Sequence, residues 1–419
     1  MSRLFAATLL CVAALQPALS QAASPPPAGL SLAEASRLAL ARSPGLARAA
    51  ALIDAAEGRV SQSGVLPNPE FSYQLEDFAG DTGRSAGAAT ITYGLSQRLP
   101  LFGKRGAARE LAGEARTVAV SDAELERLAL LRQVRDAYVM AQAAAEREDM
   151  AGEAMALATQ LRDAVSARVT AGKVSPLELA RADVALAQAR RLSEQSGRQS
   201  AAARRQLASF WGAVDIGGGL AGPVALPSAA GPEAPAEAHA DDSPALRQAQ
   251  ARVREGEAAV RAAEAGRRPD ITVSAGMKRE ADTRDESLLF GVSVPLPLFD
   301  RQQGALRAAR AELVAAQAGL ALALQQFGQA QDALLLQRDT AWREAAQLRD
   351  EVLPVAERVL AGVREGYRAG KFSLLELLDA QRSLMSDREA YLAARQSFHQ
   401  SDAALDELLG RAAVAGDAP

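Results

Sequence analysis

Thiols, imidazoles and aromatic rings are scarce in this chain. One cysteine and two histidines occur in 419 residues. That excludes a disulfide framework and leaves no cluster of ligands for a metal site. Aromatic residues make up 4%, and the dominance of Ala, Leu, Arg, Glu and Gln favours long helices over ordinary domains. Charge is nearly balanced, 47 basic against 51 acidic side chains for a net −4, so the basic surface that nucleic acid requires is missing. Beyond the N-terminus no run reaches the ~18 uncharged apolar residues of a membrane helix. A chain of this kind can enter a bilayer only as a closed β-barrel.

The first twenty residues read as a secretory signal. "MSR" supplies positive charge, "LFAATLLCVAAL" an apolar stretch, and Ala18 and Ser20 the small residues of a cleavage site. Cys11 lies inside this stretch behind Leu10 and reads as apolar filler. Neither His239 nor His399 has a second histidine nearby. A lone helical histidine reads as surface or packing, so no catalytic residue, metal or cofactor is expected.

What the chain does contain is written twice. "SPGLARAAALIDAAEG" from Ser43 returns as "SPALRQAQARVREGEAAV" from Ser243. Pro69-Glu70-Phe71 returns as Pro269-Asp270-Ile271, and "LPLFGKRGA" from Leu99 as "LPLFDRQQGA" from Leu296. "AGKVSPLELARA" from Ala171 returns as "AGKFSLLELLDA" from Ala369, and "LASFWG" ending at Gly212 as "LDELLG" ending at Gly410. Ordered anchors at nearly constant spacing indicate a tandem duplication. The repeats span 31–212 and 243–411, joined by a Pro/Gly/Ala-rich linker over 213–242 and followed by a tail, 412–419. Gly217, Gly219 and Gly222 form a G-x-G-x-x-G in the linker. Pro223 follows it, and no strand–helix context supports nucleotide binding.

Each repeat predicts a helix, a strand pair, a very long helix, a turn and a further long helix. Phe71, Tyr73 and Leu75 alternate with polar residues, as do Ile91, Tyr93 and Leu95. Ile271, Val273, Ala275 and Met277, then Leu288, Phe290, Val292 and Val294, repeat the pattern. The predicted hairpins, 70–98 and 270–296, have strands of the length a membrane barrel needs. Gly103 to Ala171 lacks proline, and Arg301 to Ala369 contains only Pro354. Each such helix would span roughly 100 Å at ~1.5 Å per residue. Leu377, Leu384, Tyr391, Phe398 and Leu405 recur at every seventh position, the mark of a left-handed supercoil. Four strands cannot close a barrel, since membrane barrels begin at about eight, and an open edge is forbidden in lipid. Several chains must therefore share one barrel, of eight strands from two copies or twelve from three.

The duplicated plan, the "LPLFGKR" and "LPLFDRQ" helix entries and the two "AGK.S.LEL" turns resemble the TolC-type outer-membrane efflux proteins, over nearly the whole chain after the signal. "GVLPNPEFSYQLEDF" and "QRLPLFGKRGAARE" are similar to the subgroup serving cobalt-zinc-cadmium exporters. The resemblance implies a mainly α fold with membrane β: a homotrimer with a shared 12-stranded β-barrel in outer-membrane lipid and a coiled α-barrel in the periplasm. It implies a passive exit duct, joined through a periplasmic adaptor to an inner-membrane pump of the RND type. Drug efflux and type I protein secretion are alternative duties of the same channel. A periplasmic coiled-coil adaptor is the reading from a different class, but it has no use for two hairpins inside a duplicated frame.

The paired turns are the candidate docking tips. Gly172 and Gly370 stop helices, Ser175 and Ser373 cap the next ones, and Glu178 and Glu376 complete capping-box patterns, with Pro176 at a first helical position. Lys173 and Lys371 are retained in both copies. The resemblance implies that the adaptor meets these tips, at turns 171–176 and 369–374. It also places carboxylates of a "D-V-L-D"-like run around the closed mouth; here that run is "ELLD", with Glu376 and Asp379 on one helix face. A ring of such groups would attract cations and raise some of its own pKa values. The first tip carries Glu178 and Arg181, and so does not duplicate it.

Overall fold

The computed structural model describes residues 29–76, 89–222, 224–227, 243–281 and 283–411. The expected signal, part of each hairpin loop, His239 and the tail lie outside these residues.

Serine and proline start most of the helices. Ser31 caps α1 (Leu32–Arg42) and Ser43 caps α2 (Pro44–Ser63), each hydroxyl accepting from a backbone N–H three residues on. Strands β1 (Glu70–Glu76) and β2 (Thr90–Leu99) follow. Next come α3 (Lys104–Thr170), α4 (Pro176–Ser209) and α5 (Pro244–Gly266). The second copy continues with β3 (Ile271–Glu280), β4 (Glu286–Ser293), α6 (Gln303–Gln347), α7 (Leu353–Arg368) and α8 (Leu374–Leu408). Val294, expected in the last strand, lies just outside it, where Pro295 ends the ladder.

The 67 residues of α3 form one uninterrupted helix. Its counterpart does not. Leu348–Val352 form a π turn between α6 and α7, where a single helix was expected. The cause sits two residues on. Pro354 has no N–H, and its ring crowds the carbonyl of Asp350, so the ladder widens ahead of it.

Glycine closes the long helices in both copies. Gly172, Gly212, Gly370 and Gly410 take φ of +69°, +75°, +73° and +69°. Each sits at the left-handed position of a Schellman motif, as in Lys173 N–H to Arg168 O at 2.9 Å and Lys371 N–H to Gly366 O at 2.8 Å.

The four strands form one antiparallel sheet in the order β1-β2-β3-β4. Pairing of β2 with β3 joins the two repeats, with Leu99 opposite Ile271 and Tyr93 opposite Met277. The registers place Phe71, Tyr73 and Leu75, then Ile91, Tyr93 and Leu95, on one face. Val273, Ala275 and Met277 opposite Val292, Phe290 and Leu288 extend that face across the sheet. Its aromatic side chains stand free, Phe71 at 70% and Phe290 at 76% exposure. The other face carries Ser72, Gln74, Thr92, Ser96, Thr272, Ser274 and Lys278. The sheet is therefore amphipathic, and the outer edges of β1 and β4 are unpaired.

Below the sheet, α2, α3, α5 and α6 pack side by side in the order of their strands. Further down, α3 lies between α4 and α8, and α7 packs on α8. Asp270 bolts the sheet to the helices. It is buried just ahead of β3 and accepts from Arg98 of β2 at 2.8 and 2.6 Å and from Lys104 of α3 at 2.6 Å. Burial opposes its charge, but the hydrogen bonds from Lys104 and Arg98 outweigh this and hold the carboxyl below its usual range.

Ion pairs run down the α3–α8 seam. Arg132 meets Glu407 at 2.6 Å, and Arg135 meets Asp402 at 2.6 Å and Asp406 at 2.8 Å. Arg395 meets Glu146, Arg147 meets Glu389 at 2.8 Å, and Arg388 meets Glu153 at 3.2 Å. The seven-residue repeat of α8 lies in the same region: Leu377, Leu384, Phe398 and Leu405 are buried and Tyr391 partly so.

The described part of the linker crosses this bundle. Leu30 and Leu220 form a short parallel bridge, with Leu30 N–H to Gly219 O and Ala221 N–H to Leu30 O both at 2.9 Å. A Cβ on Gly29 would sit 2.6 Å from the Leu220 backbone, so glycine there permits the close approach of the two segments. Tyr138 and Gln142 of α3 donate to the linker carbonyls of Ala221 and Gly222. His399, 3% exposed, reaches the Val224 carbonyl at 3.2 Å. Burial, then the charge of Arg135, pushes its pKa down to about 4, against the Val224 hydrogen bond and the charge of Asp402.

Two outcomes follow. Asp270→Asn is expected to destabilise the sheet–helix junction by about 2 kcal/mol, read as a lower dissociation temperature of the detergent-extracted assembly. His399 stays neutral when folded and protonates near pH 6.5 when unfolded, so its contribution is present above pH 6.5 and is lost as pH falls toward 4. That amounts to roughly 3 kcal/mol; unfolding of His399→Gln is expected to depend less on pH than wild type over this interval.

Candidate docking tips and channel mouth

Both tips lie where a Schellman stop meets a serine cap, and the second tip is capped more fully. Ser373 Oγ accepts the Glu376 N–H at 3.3 Å, and Glu376 Oε2 accepts the Ser373 N–H at 2.6 Å and its hydroxyl at 2.8 Å. At the first tip Ser175 Oγ accepts from Leu177 N–H at 3.2 Å, one residue earlier than a capping box requires. No return bond from Glu178 occurs among the described residues, which corrects the expected box there.

The capping bonds also act on the charge of Glu376. The Ser373 backbone N–H, then its hydroxyl, hold the Glu376 carboxyl below its usual range. Within one chain the shift is therefore opposite to the rise expected for a ring of acids. Asp379, on the same face three residues on, is exposed.

The two tips share a core: Leu161, Val165 and Ala182 from the first pack with Tyr367, Leu374 and Leu377 from the second. The Arg168 guanidinium lies 5.0 Å over the Tyr367 ring and donates to the Arg368 carbonyl at 3.5 Å. The Tyr367 hydroxyl is buried, and among the described residues it has no hydrogen-bond partner. Phe372 lies against Gly366, where a Cβ would collide with its ring.

Gly172, Lys173 and Ser175 stand exposed at one tip, and Gly370, Lys371 and Ser373 at the other. Sequence reasoning missed two neighbours. Leu177 and Leu375 are 59% and 62% exposed at matching repeat positions. The 198-residue spacing of these leucines was the available signal. Arg168 and Tyr367 were missed too, because no local pattern pairs residues of different repeats.

Among the described residues no group of three or more His, Cys, Asp or Glu could hold a metal ion, and no helix is long and apolar enough to cross a membrane. The latter says nothing of the sheet, whose apolar face is the membrane-compatible surface of the chain.

Comparison with known proteins agrees with this architecture. The CmeC outer membrane channel of Campylobacter jejuni superposes with a TM-score of 0.78 at 15% identity, covering 91% of this chain and 85% of that one. The cobalt-zinc-cadmium resistance protein CzcC of Cupriavidus metallidurans is 31% identical over 401 residues, 91% of this chain and 90% of its own. The nickel-cobalt-cadmium resistance protein NccC of Alcaligenes xylosoxydans xylosoxydans is 29% identical over 301 residues, 72% of this chain and 67% of its own. The family described as outer membrane efflux protein matches residues 35–213 and 237–411, one segment for each repeat. This chain, with its duplicated helices and its amphipathic sheet, belongs to the outer membrane efflux protein family.

Proposed function

We propose that the protein is the passive exit duct of a tripartite efflux system: a homotrimer whose chains share a 12-stranded barrel in the outer membrane and a helical tunnel in the periplasm. The observation that carries this reading is the sheet, apolar on one face, polar on the other and unpaired at both edges. Lipid tolerates such a sheet only when copies close it. The apolar face then meets lipid and the polar face lines water. Helices of ~100 Å carry the conduit toward the inner membrane.

An adaptor docks at Gly172, Lys173 and Ser175 and at Gly370, Lys371 and Ser373. Leu177 and Leu375 add exposed apolar surface near each lysine, whose removal from water would favour docking. Three copies bring Glu376 and Asp379 together as six carboxylates around the axis. Docking at the tips relaxes the helices around the shared tip core and opens this mouth. An inner-membrane pump supplies the energy and selects the cargo. Heavy-metal cations are the cargo best supported, because CzcC and NccC are metal resistance proteins and an acidic mouth favours cations. Drug or protein export is the alternative duty of the same duct.

Planar-bilayer recording tests the mouth. Wild type is expected to give small, cation-selective openings, with Asp379→Asn and Glu376→Gln conducting more or losing selectivity. Gln retains an acceptor for Ser373, so the cap survives; variants that match wild type would remove the gate assignment and leave the duct. For the tips, Lys173→Glu with Lys371→Glu is expected to weaken capture of the cognate adaptor at least ~10-fold, about 1.4 kcal/mol, in surface plasmon resonance, without altering the assembly's mass.

A further inference from the structure

The tandem duplication assigns residues to the boundary between chains. Within one chain the first repeat meets the second where β2 and α3 lie beside β3 and α5. The free edges are the corresponding surfaces one repeat further on: β4 and α6 at one side, β1 and α2 at the other. A closed ring of repeats must then alternate junctions within and between copies, and each should reuse the same positions.

The internal junction is held by Asp270 and Lys104 at 2.6 Å, with Arg98 as a second donor to Asp270. Asp270 stands between Pro269 and Ile271, and its counterpart Glu70 stands between Pro69 and Phe71. Lys104 is the sixth residue of "LPLFGK", and its counterpart Arg301 is the sixth of "LPLFDR". Charge sign is kept at both positions. Pro295 stands just ahead of "LPLFDR" where Arg98 stands just ahead of "LPLFGK", so the second donor is not repeated. Glu70 begins the free β1 edge and Arg301 lies ahead of α6; both are exposed, and neither enters an ion pair among the described residues.

We infer that Glu70 of one copy pairs with Arg301 of the next copy, repeating between chains the bolt that Asp270 and Lys104 form within one. This rests on the reading that several copies share one barrel. The occupant of the free edge is a second copy of this chain, bound head to tail, so the contact closes a ring and is not reciprocal. With Arg98 unmatched, the bolt between chains has one donor where the internal one has two, and it is the first to yield on dissociation.

Cysteine cross-linking tests the pair directly, since Cys11 is the only native cysteine. The protein carrying both Glu70→Cys and Arg301→Cys, extracted from membranes and treated with a flexible bis-maleimide, is expected to run as covalent dimers and trimers on a denaturing gel; the linker is needed because a Glu–Arg pair can hold its Cα atoms farther apart than a disulfide allows. Either single variant is expected to run as monomer. Light scattering of the wild type separates the two levels of the argument. An assembly of the expected mass without cross-links overturns the pair and leaves the shared barrel, whereas a wild-type monomer overturns both. Charge reversal decides the matter if the thiol variants fail to insert. Glu70→Arg and Arg301→Glu are each expected to lower the dissociation temperature, and together to recover at least half of the loss. Losses that simply add would overturn the pairing.

Discussion

The constraint on which the rest depends is the hydrogen-bonding demand of a strand edge in lipid. A backbone N–H or C=O left open there costs several kcal/mol, and water is not available to take it. One chain satisfies this for β2 and β3 but leaves β1 and β4 each with an open side. The sheet is thus an incomplete object that specifies its own completion. The helices inherit the condition, because their order beneath the sheet follows the order of the strands and ends in free flanks at α2 and α6.

Duplication makes that completion economical. One helix–hairpin–helix unit is used twice in the chain and again in every further copy, so a single set of turn residues serves every reversal. The stops at Gly172 and Gly370, and at Gly212 and Gly410, show how literal the reuse is: the same left-handed glycine occurs at each. The copies also differ where they meet each other. Phe372 and Gly366 stand where the first copy has Val174 and Arg168, and Arg168 itself reaches across to the second copy's Tyr367.

Much of this was legible from residue types alone, because turns and strands depend on local chemistry. Glycine at a left-handed stop, serine at a cap and strict alternation over β1 to β4 each have a single reading. The pairing of β2 with β3 was not legible, since it joins segments some 170 residues apart and no local pattern records it. The burial of Asp270 was hidden for the same reason. Leu177 and Leu375 recur at the repeat offset, but residue type alone does not say that both stand exposed. At Pro354 the residue was seen but its effect was not, because proline can end, kink or widen a helix and the surrounding packing decides which. At the second tip residue type placed Glu376 and Asp379 on one face and also gave the Ser373–Glu376 capping box; that the box holds the Glu376 carboxyl below its usual range emerged only from the geometry.

The π turn also makes the two struts mechanically unequal. The first repeat presents a helix of unbroken ladder from the sheet to its tip. The second presents two shorter rods meeting at Leu348–Val352. A bending moment applied at the far end is borne evenly by the first and concentrated at one level in the second, where the ladder is already widened. Whatever pulls on the tips therefore acts on a frame with a fixed post and a jointed one, and the joint sets the level at which the second strut bends.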